Sequence, residues 1–135
     1  MDKKIVYTWR QHTCSGFYTF EEKYYVVGKN VGYCITSEEC GAEYHGETSR
    51  NMFSRGEEHL RALSNKTRES VLWSHCLNDH NGRETAFTMK ASRYFTEPLS
   101  RQIHEAVRIH NAVNTMNRRG EWKKTAVSKA HFIRE

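Results

Sequence analysis

Tyr33, Tyr44, Arg55 and His59 crowd into one short stretch of a 135-residue chain, and a helical carboxylate, Glu105, follows well downstream. Together they suit phosphodiester chemistry. That reaction needs an activated water, neutralisation of the charge growing on the phosphoryl oxygens, and stabilisation of the departing 3′ oxygen. Arg55 suits the second task, since a guanidinium stays charged and grips two phosphate oxygens at once. Glu105, between Ile103 and Ala106 near an apolar stripe, is the candidate ligand for one Mg²⁺ or Mn²⁺, with water and phosphate oxygens completing the shell. Tyr33 is the candidate general base, provided neighbouring positive charge lowers its pKa from about 10. Tyr44 and His59 are candidates to orient water, assist proton transfer or contact phosphate. Each residue also has a plainer use: the tyrosines as sheet-packing aromatics, Arg55 and His59 as helix-surface residues, Glu105 as part of a solvated face.

The elements that must position these groups are legible in the pattern. Residues 31–36 and 42–46 are rich in β-formers and flank a turn containing Gly41, which predicts a hairpin carrying Tyr33 and Tyr44. Residues 47–49 offer a helix N-cap, and Met52, Phe53, Leu60 and Leu63 share a helical face, with Arg55 and His59 one turn apart on its flank. A second helix begins at Val71 and stops near Asn81 and Gly82, and residues 85–95 alternate as a third strand. Pro98 sits at the first turn of a long helix reaching about residue 114. Two β-branched and aromatic runs at 5–9 and 17–27 predict one or two additional strands, whose aromatics serve core packing or base stacking. The tail at 117–124 is basic, and a short helix is expected towards Phe132.

The order Gly32-Tyr33, Tyr44-His45-Gly46, Arg55, His59 and Glu105 resembles the GIY-YIG nuclease domain. More narrowly, residues 44–59 (YHGETSRNMFSRGEEH), 72–75 (LWSH) and 101–106 (RQIHEA) are similar to the endonuclease of Penelope-like retroelements. The resemblance covers roughly residues 30–118. It departs from the pattern at Val31-Gly32-Tyr33 and at His45, which stands where the family usually has an aliphatic residue. It implies an α+β fold: a small three-stranded, mainly antiparallel central sheet flanked by helices, with the N-terminal strands as additions. The expected organisation is a single domain over residues 1–135, with an N-terminal extension at 1–29, a nuclease core at 30–118 and a basic C-terminal tail at 119–135. The implied function is metal-dependent nicking of double-stranded DNA for target-primed reverse transcription, with a reverse transcriptase attached in a larger protein and a nuclear location if the host is eukaryotic. Asn117 resembles a late polar residue that some relatives place beside the site.

Four cysteines and eight histidines open a second line of chemistry. Cys34 and Cys40 form a C-x5-C pair in the hairpin, and His75 and His80 an H-x4-H pair on the next helix, a donor set suited to tetrahedral zinc. The Penelope-like resemblance implies such a site too, but there the first cysteine more often stands where this chain has Ser37. Cys34 or Cys14 must then substitute, or zinc is lost. The plainer reading makes Cys34 and Cys76 small buried hydrophobes and leaves the histidines on the surface.

Composition bounds the alternatives. An excess of 21 basic over 16 acidic residues gives a formal charge of +5 and favours a polyanionic partner. There is no apolar run of about 18 residues, and no signal-like segment follows the N-terminal Met-Asp-Lys-Lys, so the expectation is an intracellular protein with no membrane partner. The competing reading is a non-catalytic, zinc-stabilised nucleic-acid-binding module in which the polar loop at 64–70 and the basic tail hold phosphates. A third is a protein-interaction domain using the aromatic N-terminal strands.

Overall fold

The structure, a computed structural model, describes residues 6–11, 18–22 and 29–118. In chain order these form β1(Val6–Gln11), β2(Tyr18–Glu22), β3(Val31–Ser37), β4(Glu43–Thr48), α1(Met52–Ser64), α2(Val71–Asp79), β5(Phe87–Tyr94) and α3(Pro98–Asn111). All the strands join one sheet in the order β2-β1-β5-β3-β4, every neighbouring pair antiparallel. The expected α+β architecture is present, with β5, β3 and β4 as the expected three-stranded antiparallel unit and β4 at the outer edge of the sheet. The additional N-terminal strands continue the same sheet, β1 pairing with β5 from Val6↔Lys90 to Trp9↔Phe87. The expected tail helix and Cys14 lie outside the described residues.

Strand alternation sends successive side chains to opposite faces and so creates two surfaces with different partners. One face carries Val31, Tyr33 and Ile35 from β3, Tyr44 from β4, and Phe87 and Met89 from β5. These pack with Met52, Leu63 and Leu72 of α1 and α2 to make the core. Each fully buried aliphatic or methionine side chain contributes about 1.5–3 kcal/mol relative to exposure. The other face carries Gly32, Cys34, His45 and Glu47, and α3 lies over it. Arg101 of α3 pairs with Glu47 and donates to Asn30 Oδ1 at 2.8 Å, and Arg108 approaches His45.

Two element boundaries differ from the sequence expectation, both because β4 claims more chain. Its pairing extends to Thr48, so the α1 cap moves from 47–49 to Asn51, whose Oδ1 accepts from the Phe53 amide at 2.7 Å. Helix α3 ends at Asn111 rather than near 114, because the following residues run along the outer edge of β4. There the Glu43 amide donates to the Asn114 carbonyl at 2.9 Å and the Met116 amide to the Glu43 carbonyl at 2.7 Å. Covering an edge strand satisfies its outward backbone groups.

Gly46 sits opposite Tyr33 in the β3–β4 register, and a Cβ there would lie 2.4 Å from Tyr33 Cζ. The phenol ring lies across the glycine. Gly46→Ala should therefore destabilise the domain by about 1–3 kcal/mol through overpacking. At Gly32 the nearest side-chain atoms would be 3.1 Å away, so Gly32→Ala should cost less. Urea denaturation of both variants beside the wild type checks the ranking.

Candidate active site and metal centre

Tyr33 reaches α1 because β3 delivers it on the core face and α1 presents Arg55 and His59 one turn apart. Arg55 Nε donates to the Tyr33 hydroxyl at 3.2 Å, and that hydroxyl also lies 2.8 Å from His59 Nε2. Because Arg55 already donates to the oxygen, the phenol's own hydrogen can go to the imidazole. Tyr44 completes the group, its ring centroid 5.4 Å from His59 and 6.4 Å from Tyr33. Four of the residues singled out from the sequence thus stand together.

The electrostatics reassign the roles within this group. Tyr33 is only 1% exposed, and burial, with the Tyr44 phenol beside it, pushes its pKa far up. The charge and hydrogen bond of Arg55 pull the other way and do not prevail. Burial and the Arg55 charge hold His59 down to about 3, so its imidazole is neutral. The expectation of a Tyr33 hydroxyl acidified by positive charge is therefore not met in this state. The Tyr33 hydroxyl and the neutral His59 imidazole instead share a hydrogen bond.

A cleft of about 410 Å³ opens beside this group, lined by Tyr44, Arg55, His59 and Arg118, and by Thr67, Glu69 and Ser70 from the polar loop and the start of α2. Glu58, which sequence reasoning passed over, also lines it. Its carboxylate accepts from Arg55 Nη1 at 2.7 Å and pairs with Arg50 at 2.6 Å. The signal was present in its i, i+3 spacing from Arg55.

Glu105 lies half-buried on α3, and its charge is felt at the Tyr33 hydroxyl, where it opposes ionisation. Glu105 does not line the cleft, since α3 lies over the other face of the sheet from Tyr33 and the first two helices. Asn117 is engaged with the backbone of His45, next to Tyr44. Its Oδ1 accepts from the His45 amide at 2.8 Å and its Nδ2 donates to the His45 carbonyl at 3.0 Å, which zips the chain to the edge of β4.

The metal donors divide into two groups. Cys40, His75 and His80 converge: Cys40 Sγ is 3.2 Å from His75 Nε2, which is 3.0 Å from His80 Nε2. The turn after α2 makes this possible, with Gly82 at φ +79° closing back on Cys76 and bringing His80 over His75. His75 Nδ1 pairs with Asp79 at 2.8 Å, which aims Nε2 at the shared point, and burial lowers the pKa of His75 and favours the neutral ring a metal requires. This donor set fits zinc. Cys34 does not join it. As the neighbour of Tyr33 on β3 its thiol projects to the opposite face, 3.7 Å from Thr36 Oγ1 and grouped with Glu43 and His45. Its assignment as a zinc ligand beside Cys40 is corrected on that ground. Buried Ser37 lies next to Cys40, whose amide is 3.5 Å from its Oγ.

Compared with protein-family models, curated proteins and solved structures, the chain matches none. No helix among the described residues is long and apolar enough to cross a membrane.

The folded pKa of His59 lies below its ordinary 6.5, so between 6.5 and about 3 the unfolded chain binds the extra proton. The stability associated with neutral His59 is complete above 6.5 and is lost as pH falls through that window. Urea denaturation from about pH 7 to 4 with chelator present should show this decline, and His59→Gln should remove up to about 1.4 kcal/mol per pH unit of the slope.

Proposed function

We propose that this domain is a metal-dependent DNA endonuclease of GIY-YIG type. The observation that carries the reading is the chain of hydrogen bonds from Arg55 to the Tyr33 hydroxyl and on to neutral His59, beside a cleft lined by arginines. Arg55 grips the scissile phosphate, displacing the Glu58 carboxylate that now holds its Nη1. Water attacks phosphorus as the bond to the 3′ oxygen breaks, and its proton is relayed through the Tyr33 hydroxyl to His59 Nε2, so the phenol never carries a full charge. The negative phosphate in the cleft stabilises the imidazolium that burial and Arg55 otherwise disfavour. Arg55 and His59 hold the phenol in line for this transfer, and Tyr44 packs against the imidazole. Glu105 would hold Mg²⁺ or Mn²⁺, which when bound supplies Lewis-acid stabilisation to the phosphate and the departing 3′ oxygen.

Zinc held by Cys40, His75 and His80 would tie the β3–β4 turn to the end of α2 and serve stability. The order of motifs from Tyr33 to Glu105 supports the narrower reading: nicking of double-stranded target DNA in the nucleus, priming an attached reverse transcriptase of a Penelope-like retroelement. A non-catalytic, zinc-stabilised nucleic-acid-binding module is the alternative that the basic surplus and the Cys40 cluster also support.

Supercoiled plasmid incubated with the purified chain and Mg²⁺ or Mn²⁺ should convert to open circles, and EDTA should stop it. Arg55→Ala, Glu105→Ala and His59→Ala should each lose about 10²-fold or more while remaining folded. No conversion with any metal, together with salt-sensitive DNA binding unchanged by Arg55→Ala, would leave the binding module as the function.

A further inference from the structure

The face of the sheet opposite the candidate active site carries a second convergence of donors. Cys34 and His45 are directly cross-strand in the β3–β4 register, and Glu43 stands two residues from His45 on the same face. Their sulfur, nitrogen and oxygen ligand atoms all lie within 4.8 Å of one another. His45 is buried, its Nε2 3.2 Å from Glu43 Oε2. Asn117 pins the backbone of His45 on both its amide and its carbonyl, so the imidazole is presented from a fixed point. Side chains on paired strands lose little freedom when they coordinate together.

We propose that Cys34, Glu43 and His45 form a second metal site, separate from the Cys40 cluster, that takes a thiophilic divalent cation such as Zn²⁺ or Co²⁺. Thiolate, imidazole and carboxylate are together a donor set of borderline softness, and thiolate plus carboxylate balance the charge of the ion. A fourth position is left for water or an incoming ligand. Arg108, exposed on α3, now places its Nε 3.4 Å from His45 Nδ1. An arginine beside the ligands repels a cation, and its exposed side chain can swing outward as the metal enters. Arg108 therefore sets the affinity of the site. The site does not depend on the phosphodiester reading, because none of its ligands is in the Tyr33 group.

The test is Co²⁺ titration of the whole chain, read by thiolate-to-cobalt charge-transfer absorption. The wild type should bind one more sulfur-ligated cobalt than Cys34→Ser. In Cys40→Ala, which removes the sulfur of the other cluster, the band should persist, and it should vanish when Cys34→Ser is added. Arg108→Ala should tighten the Cys34-dependent ion by about tenfold or more. A stoichiometry unchanged by Cys34→Ser overturns the site, as does a band in Cys40→Ala that survives the loss of Cys34. Should Cys40→Ala fail to fold, the comparison of wild type with Cys34→Ser decides alone.

Discussion

The Tyr33 hydroxyl is enclosed within the domain and still needs hydrogen-bond partners, and the placement of β4 and α1 follows from how that need is met. An unpaired buried hydroxyl costs about 1–3 kcal/mol, so Arg55 and His59 must both face it. This fixes α1 in rotation about its axis as well as in position. The ring must also lie flat on β4, and only a residue without a Cβ leaves room for it, which is the physical requirement behind Gly46. A single phenol thus couples the register of the hairpin to the seating of the first helix. The same enclosure suppresses the acidity of the phenol and keeps the neighbouring His59 neutral.

The opposite face is organised by charge rather than by apolar packing. Arg101 is nearly as buried as the core, and its guanidinium is compensated by Glu47 and Asn30 at the open end of the hairpin. Removing one partner of such a pair typically costs about 3–5 kcal/mol, so α3 is held by specificity of pairing more than by hydrophobic area. Seated there, α3 carries Glu105 to within electrostatic reach of Tyr33, and the chain after it seals the β4 edge through Asn114, Met116 and Asn117. The two donor clusters sit on opposite faces of the same strand pair because Cys34 points one way while the turn after Ser37 carries Cys40 the other.

Much of the fold was legible where local patterning and tertiary environment agree. The β3–β4 hairpin, α1 with its Arg55 and His59 flank, and the Pro98 start of α3 all follow from periodicity and turn chemistry. The boundaries that shifted, at Asn51 and at Asn111, are places where a free strand edge competed successfully for backbone that propensity would have given to helix or cap. Edge pairing is a long-range event and leaves no local signal. Asn117 shows the same limit: nothing local announces that its amide matches the spacing of a strand's backbone groups and bonds to both the His45 amide and carbonyl.

By itself, the sequence determined the α+β class, the grouping of Tyr33, Tyr44, Arg55 and His59, and the pairing of His75 with His80. Arg55 and His59 are one helical turn apart and Tyr33 and Tyr44 one hairpin apart, so local geometry dictates each of these pairs. The apolar pattern and the Asn81-Gly82 turn signal what joins the pairs and folds His80 onto His75. Only the tertiary structure decided that Cys34 faces away from Cys40, that Glu58 bridges Arg55 and Arg50, and that Tyr33 is buried so deeply that its ionisation is suppressed. Which face a strand residue serves, and how much water surrounds it, depends on what packs from elsewhere in the chain. Desolvation, the largest influence on these titrating groups, is therefore a property of the assembled fold.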